Sequence, residues 1–233
     1  MIITVGGIKG GSGKSLAATN LFIMRRLAGH DAMLVDADDQ ASASEFISQR
    51  EGLKHGAEPC VQLSGKAVRD QVRQLAGRYH DIVIDTGGRD TASQRAALTV
   101  SDILLLPFQP GNFDVWTLQK VEALVEDARG VNDRLKAVAY ISRGLPQGED
   151  NREAAELLRA SKVITMSDVI LTNRKAYNSA AGEGQAVTEA RPKAKRDLPR
   201  WEKACEEIQS LYALAFDATM ISCRYHKDIE TTS

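Results

Sequence analysis

The residues best suited to chemistry run from Gly6 to Ser15, as Gly6-Gly7-Ile8-Lys9-Gly10-Gly11-Ser12-Gly13-Lys14-Ser15. Glycines let a backbone curl until successive N–H groups point inward, and a following helix N-terminus adds its positive end; both suit phosphate oxygens. In such a cradle Gly10, Gly11, Ser12 and Gly13 supply backbone, and Lys14 reaches the β- and γ-phosphates of a nucleotide. The Ser15 hydroxyl can coordinate Mg²⁺, a role that Thr could share and Ala could not.

Two further stretches end in carboxylates. Leu34-Val35-Asp36-Ala37-Asp38-Asp39-Gln40 crowds three acids where an apolar run stops, and their repulsion calls for a metal or cations. His80-Asp81-Ile82-Val83-Ile84-Asp85-Thr86 is an apolar run closing on Asp85, the Walker B arrangement that holds a carboxylate near Mg²⁺ or its waters. Asp39 also stands where it could cap a helix over Ala41–Arg50.

These groups must be held by the elements around them. Ile2–Val5, Ala32–Val35, Ile82–Ile84, Ile103–Pro107 and Ala137–Ile141 are short, continuous apolar runs, the pattern of strands buried on both faces. Between them lie helix-length stretches near Ser15–Ala28, Ala41–Arg50, Lys66–Arg78, Thr91–Val100, Val115–Ala128 and Arg152–Ala160. That alternation predicts an α/β fold with a doubly wound, mostly parallel sheet flanked by helices. Ligands of such sheets bind at the carboxyl ends of the strands, where the phosphate loop and both carboxylate runs fall. A further strand is expected near Val163–Ile170, then a helix-rich segment with a loop at Gly182-Glu183-Gly184 and a long helix over Lys195–Phe216. The expected organisation is one domain over 1–216, with a polar tail over 217–233.

Composition narrows the partners. The 233 residues carry a formal charge of -1 and are 43% hydrophobic, which excludes a globally basic nucleic-acid binder, so contact with DNA needs a local patch. Arg191, Lys193, Lys195, Arg196 and Arg200 form one. Cys60, Cys205 and Cys223 have no CxxC or metal-ligand spacing and read as reduced thiols. Met1–Val5 enters a strand pattern directly, without a charged leader or long apolar run, which points to the cytosol.

The strict phosphate-loop pattern places a glycine five positions before Gly13, and Ile8 stands there instead. With Lys9 the stretch resembles the deviant Walker A motif, Lys-Gly-Gly-x-Gly-Lys-Ser/Thr, of the ParA, MinD and nitrogenase-iron-protein superfamily. The likeness continues through Asp36-Ala37-Asp38-Asp39-Gln40, where Asp39 replaces the usual proline, and through Gly87-Gly88-Arg89-Asp90, similar to the second switch of plasmid-type ParA proteins. It extends through Leu106-Pro107-Phe108-Gln109-Pro110 with Asp114, Tyr140-Ile141-Ser142-Arg143, and Arg174-Lys175-Ala176-Tyr177 to Gly182, Gly184 and Glu189. It covers most of 1–216.

The resemblance implies that Lys9 reaches across a homodimer to the partner's nucleotide, that Asp38 orients the attacking water, and that Asp36 lies near the Mg²⁺ hydration shell. Ser142 and Arg143 would contact the base. It also implies ATP and Mg²⁺ as cofactors and ATP-dependent, sequence-independent DNA binding through Lys193, Lys195, Arg196 and Arg200. The expected function is a switch ATPase of the short ParA class in DNA partition, nucleoid-associated and stimulated by a ParB-like or small centromere-binding protein. Two alternatives share the scaffold: a conjugation or cargo-positioning ATPase, and a MinD-like membrane-surface factor, for which Ile221–Lys227 makes a poor amphipathic helix. An iron–sulfur reductase would need cysteines near the second switch, which the sequence lacks.

Overall fold

The computed structural model describes residues 1–111, 115–147 and 149–216. Seven strands form one sheet: β1 Ile2–Val5, β2 Ala32–Ala37, β3 Cys60–Gln62, β4 Asp81–Thr86, β5 Ile103–Phe108, β6 Lys136–Gly144 and β7 Thr165–Thr172. Their order is β3-β2-β4-β1-β5-β6-β7, and every pairing is parallel. The expectation of a mostly parallel sheet thus becomes an entirely parallel one. β2, β4 and β5 are buried at every residue, as continuous apolar runs require when helices cover both faces.

The helices are α1 Lys14–Leu27, α2 Ser42–Gly52, α3 Ala67–Leu75, α4 Ala92–Leu98, α5 Val115–Arg129, α6 Asp150–Arg159, α7 Lys175–Ala181 and α8 Leu198–Phe216. One face of the sheet packs on α1, α2, α7 and α8, through residues such as Leu21, Phe46, Ala180 and Ile208 against Ile3, Leu34, Val83 and Tyr140. The other packs on α5 and α6 over β5 and β6, and on α3 and α4 over β2 and β4. The fold is therefore doubly wound. β1 lies at its centre: the chain leaves β1 toward β2 and later crosses back past β1 to β5. That reversal opens a crevice at the carboxyl ends of β1 and β4.

Three local expectations change. β3 has no counterpart in the sequence reading, because two half-buried residues and one exposed residue on a sheet edge carry no continuous apolar run. β7 lies two residues beyond the expected Val163–Ile170, since Ser161 and Val163 precede the first ladder pair, Val138 with Thr165. Asp39 does not cap α2. Ala41 takes the cap position in left-handed backbone, φ 53°, and the helix's free Ser44 N–H is satisfied instead by Asp36 Oδ2 at 2.7 Å. Asp114, Cys223 and the expected 217–233 tail, with Ile221–Lys227, lie outside the described residues.

Candidate functional site

The loop after β1 folds as its glycines dictate. Gly11 and Gly13 sit in left-handed backbone, φ 73° and 88°, and Gly13 is the residue from which α1 starts. A side chain at Gly13 would be strained and would meet the Ser142 hydroxyl at 2.8 Å. Ser12 is buried, and its hydroxyl donates to the Lys9 carbonyl at 3.3 Å. Lys14 is only 6% exposed; its ammonium donates to the same carbonyl at 2.8 Å, so the cation is folded over the loop. Burial pulls the Lys14 ammonium below the ordinary lysine value, against the carboxylates of Asp85 and Asp38 nearby. Ser15 is the second residue of α1, and Lys9 stands exposed on the outer turn beside Gly10 and Gly11.

Strand register places the carboxylates. Asp36 on β2 is paired with Asp85 on β4, and Val5, the last residue before the loop, is paired with Asp85 from the other side. Leu34 and Val83, two residues earlier, belong to the core under α1, so both acids point to that same face beneath the phosphate loop. Their environments differ. Asp36 is fully buried and both oxygens are occupied: Oδ1 accepts from the Asp38 N–H at 3.1 Å and Oδ2 from the Ser44 N–H. Asp85 is equally buried, yet neither oxygen has a hydrogen-bond partner. Burial raises the Asp85 carboxyl to about 7; the Ser15 hydroxyl and Lys14 oppose the rise without completing a hydrogen bond, and Asp36 and Asp38 add to it. A buried carboxylate with both oxygens unsatisfied, a serine hydroxyl beside it and a second acid in register is a donor set that fits Mg²⁺ or its waters.

The two switch segments meet over this floor. Asp38 is half-buried, with Oδ1 accepting from the Gln40 N–H at 3.2 Å. A Cβ on Gly87 would lie 3.1 Å from that same oxygen. A Cβ on Gly88 would lie 2.6 Å from both N and Cα of Gly10, so the bare backbone of the second switch rests directly on the phosphate loop. Arg95 grips Asp90 at 2.7 and 2.6 Å and reaches Asp127 at 3.0 Å, tying the far end of that switch to α4 and α5.

A second hollow opens on the other side of Gly13, lined by Leu16, Ser142, Arg143, Thr172, Asn173, Arg174 and Tyr177. Ser142 is buried, whereas Arg143 is exposed in left-handed backbone, φ 52°, where the β6–β7 register shifts. Sequence reasoning brought Ser142 and Arg143 to this place. It did not show that Arg174 is held by Glu207 at 2.7 Å, with Thr172 and Tyr177 on the same carboxylate. Only folding joins residues so far apart in the chain.

The basic residues lie elsewhere. Arg191, Lys193, Lys195, Arg196 and Arg200 are all exposed, on a loop, a single 3-10 turn over Lys195–Asp197 and the start of α8. Lys193 pairs with Glu183 at 3.0 Å, which offsets part of its charge. The segment before them is fixed to the C-terminal end of α2: Arg50, 3% exposed, forms a two-pronged pair with Glu189 at 2.9 Å and donates to the Gly184 carbonyl at 3.0 Å. The thiols of Cys60 and Cys205 are free; burial pushes that of Cys60 up to about 11, which keeps it protonated and inert.

Comparison with known proteins gives the family and the fold. Residues 3–221 match the family described as the CobQ/CobB/MinD/ParA nucleotide binding domain. The chain is 27% identical, over 188 residues, to the maintenance of carboxysome distribution protein A of Halothiobacillus neapolitanus, covering 79% of this chain and 85% of that protein. Among solved structures, apo McdA from Cyanothece superposes with a TM-score of 0.67 at 16% identity, covering 90% of this chain and 98% of that one. A plasmid partition protein from Borrelia burgdorferi gives 0.57 at 21%, covering 79% and 95%. At such identities the two structures attest the fold.

Proposed function

Because the chain belongs to the CobQ/CobB/MinD/ParA nucleotide-binding domain family, we propose that it is a Mg²⁺-dependent ATPase of the ParA type that dimerises around ATP and uses hydrolysis as a switch. The observation that carries this reading is Asp85: a buried carboxylate with two unsatisfied oxygens, in register with Asp36 and beneath Lys14. A buried charge left so bare costs stability, and an ion or its waters at that place offsets the cost. A Cyanothece McdA variant solved as an ATP complex supports the choice of nucleotide.

In this reading the backbone of Gly10, Gly11, Ser12 and Gly13 cradles the phosphates, and Lys14 exchanges the Lys9 carbonyl for phosphate oxygens. Ser15, Asp36 and Asp85 would hold Mg²⁺ or its waters, and the ion would supply charge neutralisation at the phosphates. Asp38 orients the water that attacks the γ-phosphorus as the bond to the β-phosphate oxygen breaks, giving ADP and phosphate. Lys9, exposed on the outer turn, serves the nucleotide of the second subunit, as an arginine finger does in trans. Ser142 and Arg143 face the base. The closed dimer presents Lys193, Lys195, Arg196 and Arg200 twice on one body and so binds DNA phosphates without reading sequence.

The physiological role is DNA partition with a ParB-like or small centromere-binding partner, acting at the nucleoid in the cytoplasm. A second reading, positioning of another cargo by the same cycle, is favoured by the 27% identity to a carboxysome distribution protein. No described helix is long and apolar enough to cross a membrane, and the MinD-like reading rests on residues after 216.

Light scattering and phosphate release with ATP test the core of the reading. Asp38→Ala should bind ATP and dimerise while hydrolysis falls about 100-fold or more, since water orientation is needed only in the chemical step. Lys9→Ala should bind ATP yet stay monomeric. Normal hydrolysis by the first variant or full dimerisation by the second overturns the assigned role.

A further inference from the structure

The two loops that must respond to the γ-phosphate are joined beneath the surface by a residue outside every motif. Gln94, in the first turn of α4, is completely buried. With its amide nitrogen turned inward it donates to the Gly7 carbonyl at 3.1 Å, the Gly87 carbonyl at 3.2 Å and the Thr86 hydroxyl at 3.2 Å, two hydrogens shared among three acceptors. Thr86 in turn donates to the Val5 carbonyl at 3.1 Å. The opposite amide orientation puts oxygen against two carbonyl oxygens and gains a 3.4 Å contact from the Gly7 N–H and one of 3.2 Å from the Thr86 hydroxyl, whose single hydrogen the Val5 carbonyl also takes, so the inward nitrogen is the better satisfied arrangement. One side chain thus binds the root of the phosphate loop, at Val5 and Gly7, to the root of the second switch, at Thr86 and Gly87.

Its anchor is rigid. The Thr91 hydroxyl caps α4 by accepting from the Gln94 N–H at 3.1 Å, and the neighbouring Arg95 grips Asp90 and Asp127. Above this bridge the Gly88 backbone rests on Gly10.

We infer that Gln94 is a positioning residue that locks the second switch to the phosphate loop, so that γ-phosphate contact at one is felt at the other. The inference rests on the ATPase reading above. Gln94 is fully buried beneath the two loops and acts through Gly7 and Gly87. A nucleotide without a γ-phosphate needs only the phosphate loop, whereas discrimination of ATP from ADP and the chemical step need both loops in register.

The test uses the full chain with Gln94→Leu, which keeps the volume and removes the donors, and Gln94→Glu, which keeps the shape and sets an acceptor against three acceptors. ADP affinity should stay within about threefold of wild type, while the ratio of ATP-analogue to ADP affinity and the single-turnover hydrolysis rate should each fall about tenfold or more. The Gln94→Glu variant should regain part of its loss as the pH is lowered and its carboxyl takes up a proton to donate. Wild-type selectivity and rate in both variants overturn the inference, as does an equal loss for ADP and ATP, which would make Gln94 a support of the phosphate loop alone. Amide hydrogen exchange without nucleotide separates this inference from the ATPase reading. The Gln94→Leu variant should exchange faster at both 6–8 and 86–88, and wild-type rates there overturn the bridge whatever the nucleotide results.

Discussion

The crevice over β1 and β4 and the basic stretch from Arg191 to Arg200 are built on opposite principles. In the crevice, charge is buried and fixed: Asp36 and Asp85 are fully enclosed at strand ends, Lys14 is 6% exposed, and Gly88 has no room for a side chain against the Gly10 backbone. In the basic stretch every charge stands in solvent, one is already paired with an acid, and the supporting backbone is a loop and a single 3-10 turn. Enclosed charges act at low effective dielectric, where one group decides binding. Exposed charges act together through counterion release, and each is replaceable.

The largest effect expected from that difference is at Lys14. Lys14→Ala removes a charge-assisted contact in an enclosed site and should weaken ATP about 100-fold, read by calorimetry. Unchanged affinity would mean that the enclosed cation is not the anchor. Next comes joint replacement of Lys193, Lys195 and Arg196 by Glu. Duplex DNA binding with ATP should fall at least about tenfold, the salt slope should drop by about five because the dimer carries each replacement twice, and nucleotide affinity should be unchanged. Equal binding with ADP, or full binding by the variant, breaks the assignment of that surface. Any of these charges replaced singly should cost little, which sharpens the contrast with Lys14.

The smallest effect concerns stability. The folded chain holds the Asp85 proton up to about pH 7, whereas an unfolded aspartate loses it near the ordinary value of 3.8. Between these limits the folded state binds more protons, so without Mg²⁺ and nucleotide stability should rise as pH falls from about 7.5 toward 5. Asp85→Asn should flatten this dependence and stabilise the free protein by about 1–3 kcal/mol, a few degrees in the unfolding midpoint. A midpoint that falls with acidification across that window, by the same amount in both proteins, would remove Asp85 as the cause.

What was legible in the sequence follows the same division. The phosphate loop, Asp36, Asp38 and Asp85 lie in short contiguous stretches beside apolar runs, so residue type and local period sufficed to place them. β3 was not legible, because Cys60–Gln62 sits on a sheet edge without a continuous apolar signal. The capping of α2 was misassigned to Asp39 because a cap is ordinarily sought just before its helix, whereas Asp36 reaches the Ser44 N–H from eight residues away. Gln94 gave no signal at all. A glutamine in a short helix reads as surface, and only the parallel pairing of β1 with β4 brings Gly7 and Gly87 to it.

The central place of β1 also governs how the chain can be made. β1 emerges first during synthesis, yet its neighbours are β4, over Asp81–Thr86, and β5, over Ile103–Phe108, and the Gly6 N–H finds its acceptor on Leu105. At about 5–20 residues per second, the ribosome takes on the order of 5–20 s to deliver that acceptor. Until then Ile2–Val5 can pair on its β4 side alone and the Gly6 N–H lacks its acceptor, so the phosphate loop is not fixed and nucleotide cannot assist the early stages. Nascent chains halted before residue 103 should therefore bind chaperones and not ATP, and those long enough to release residue 108 from the exit tunnel should begin to do the reverse.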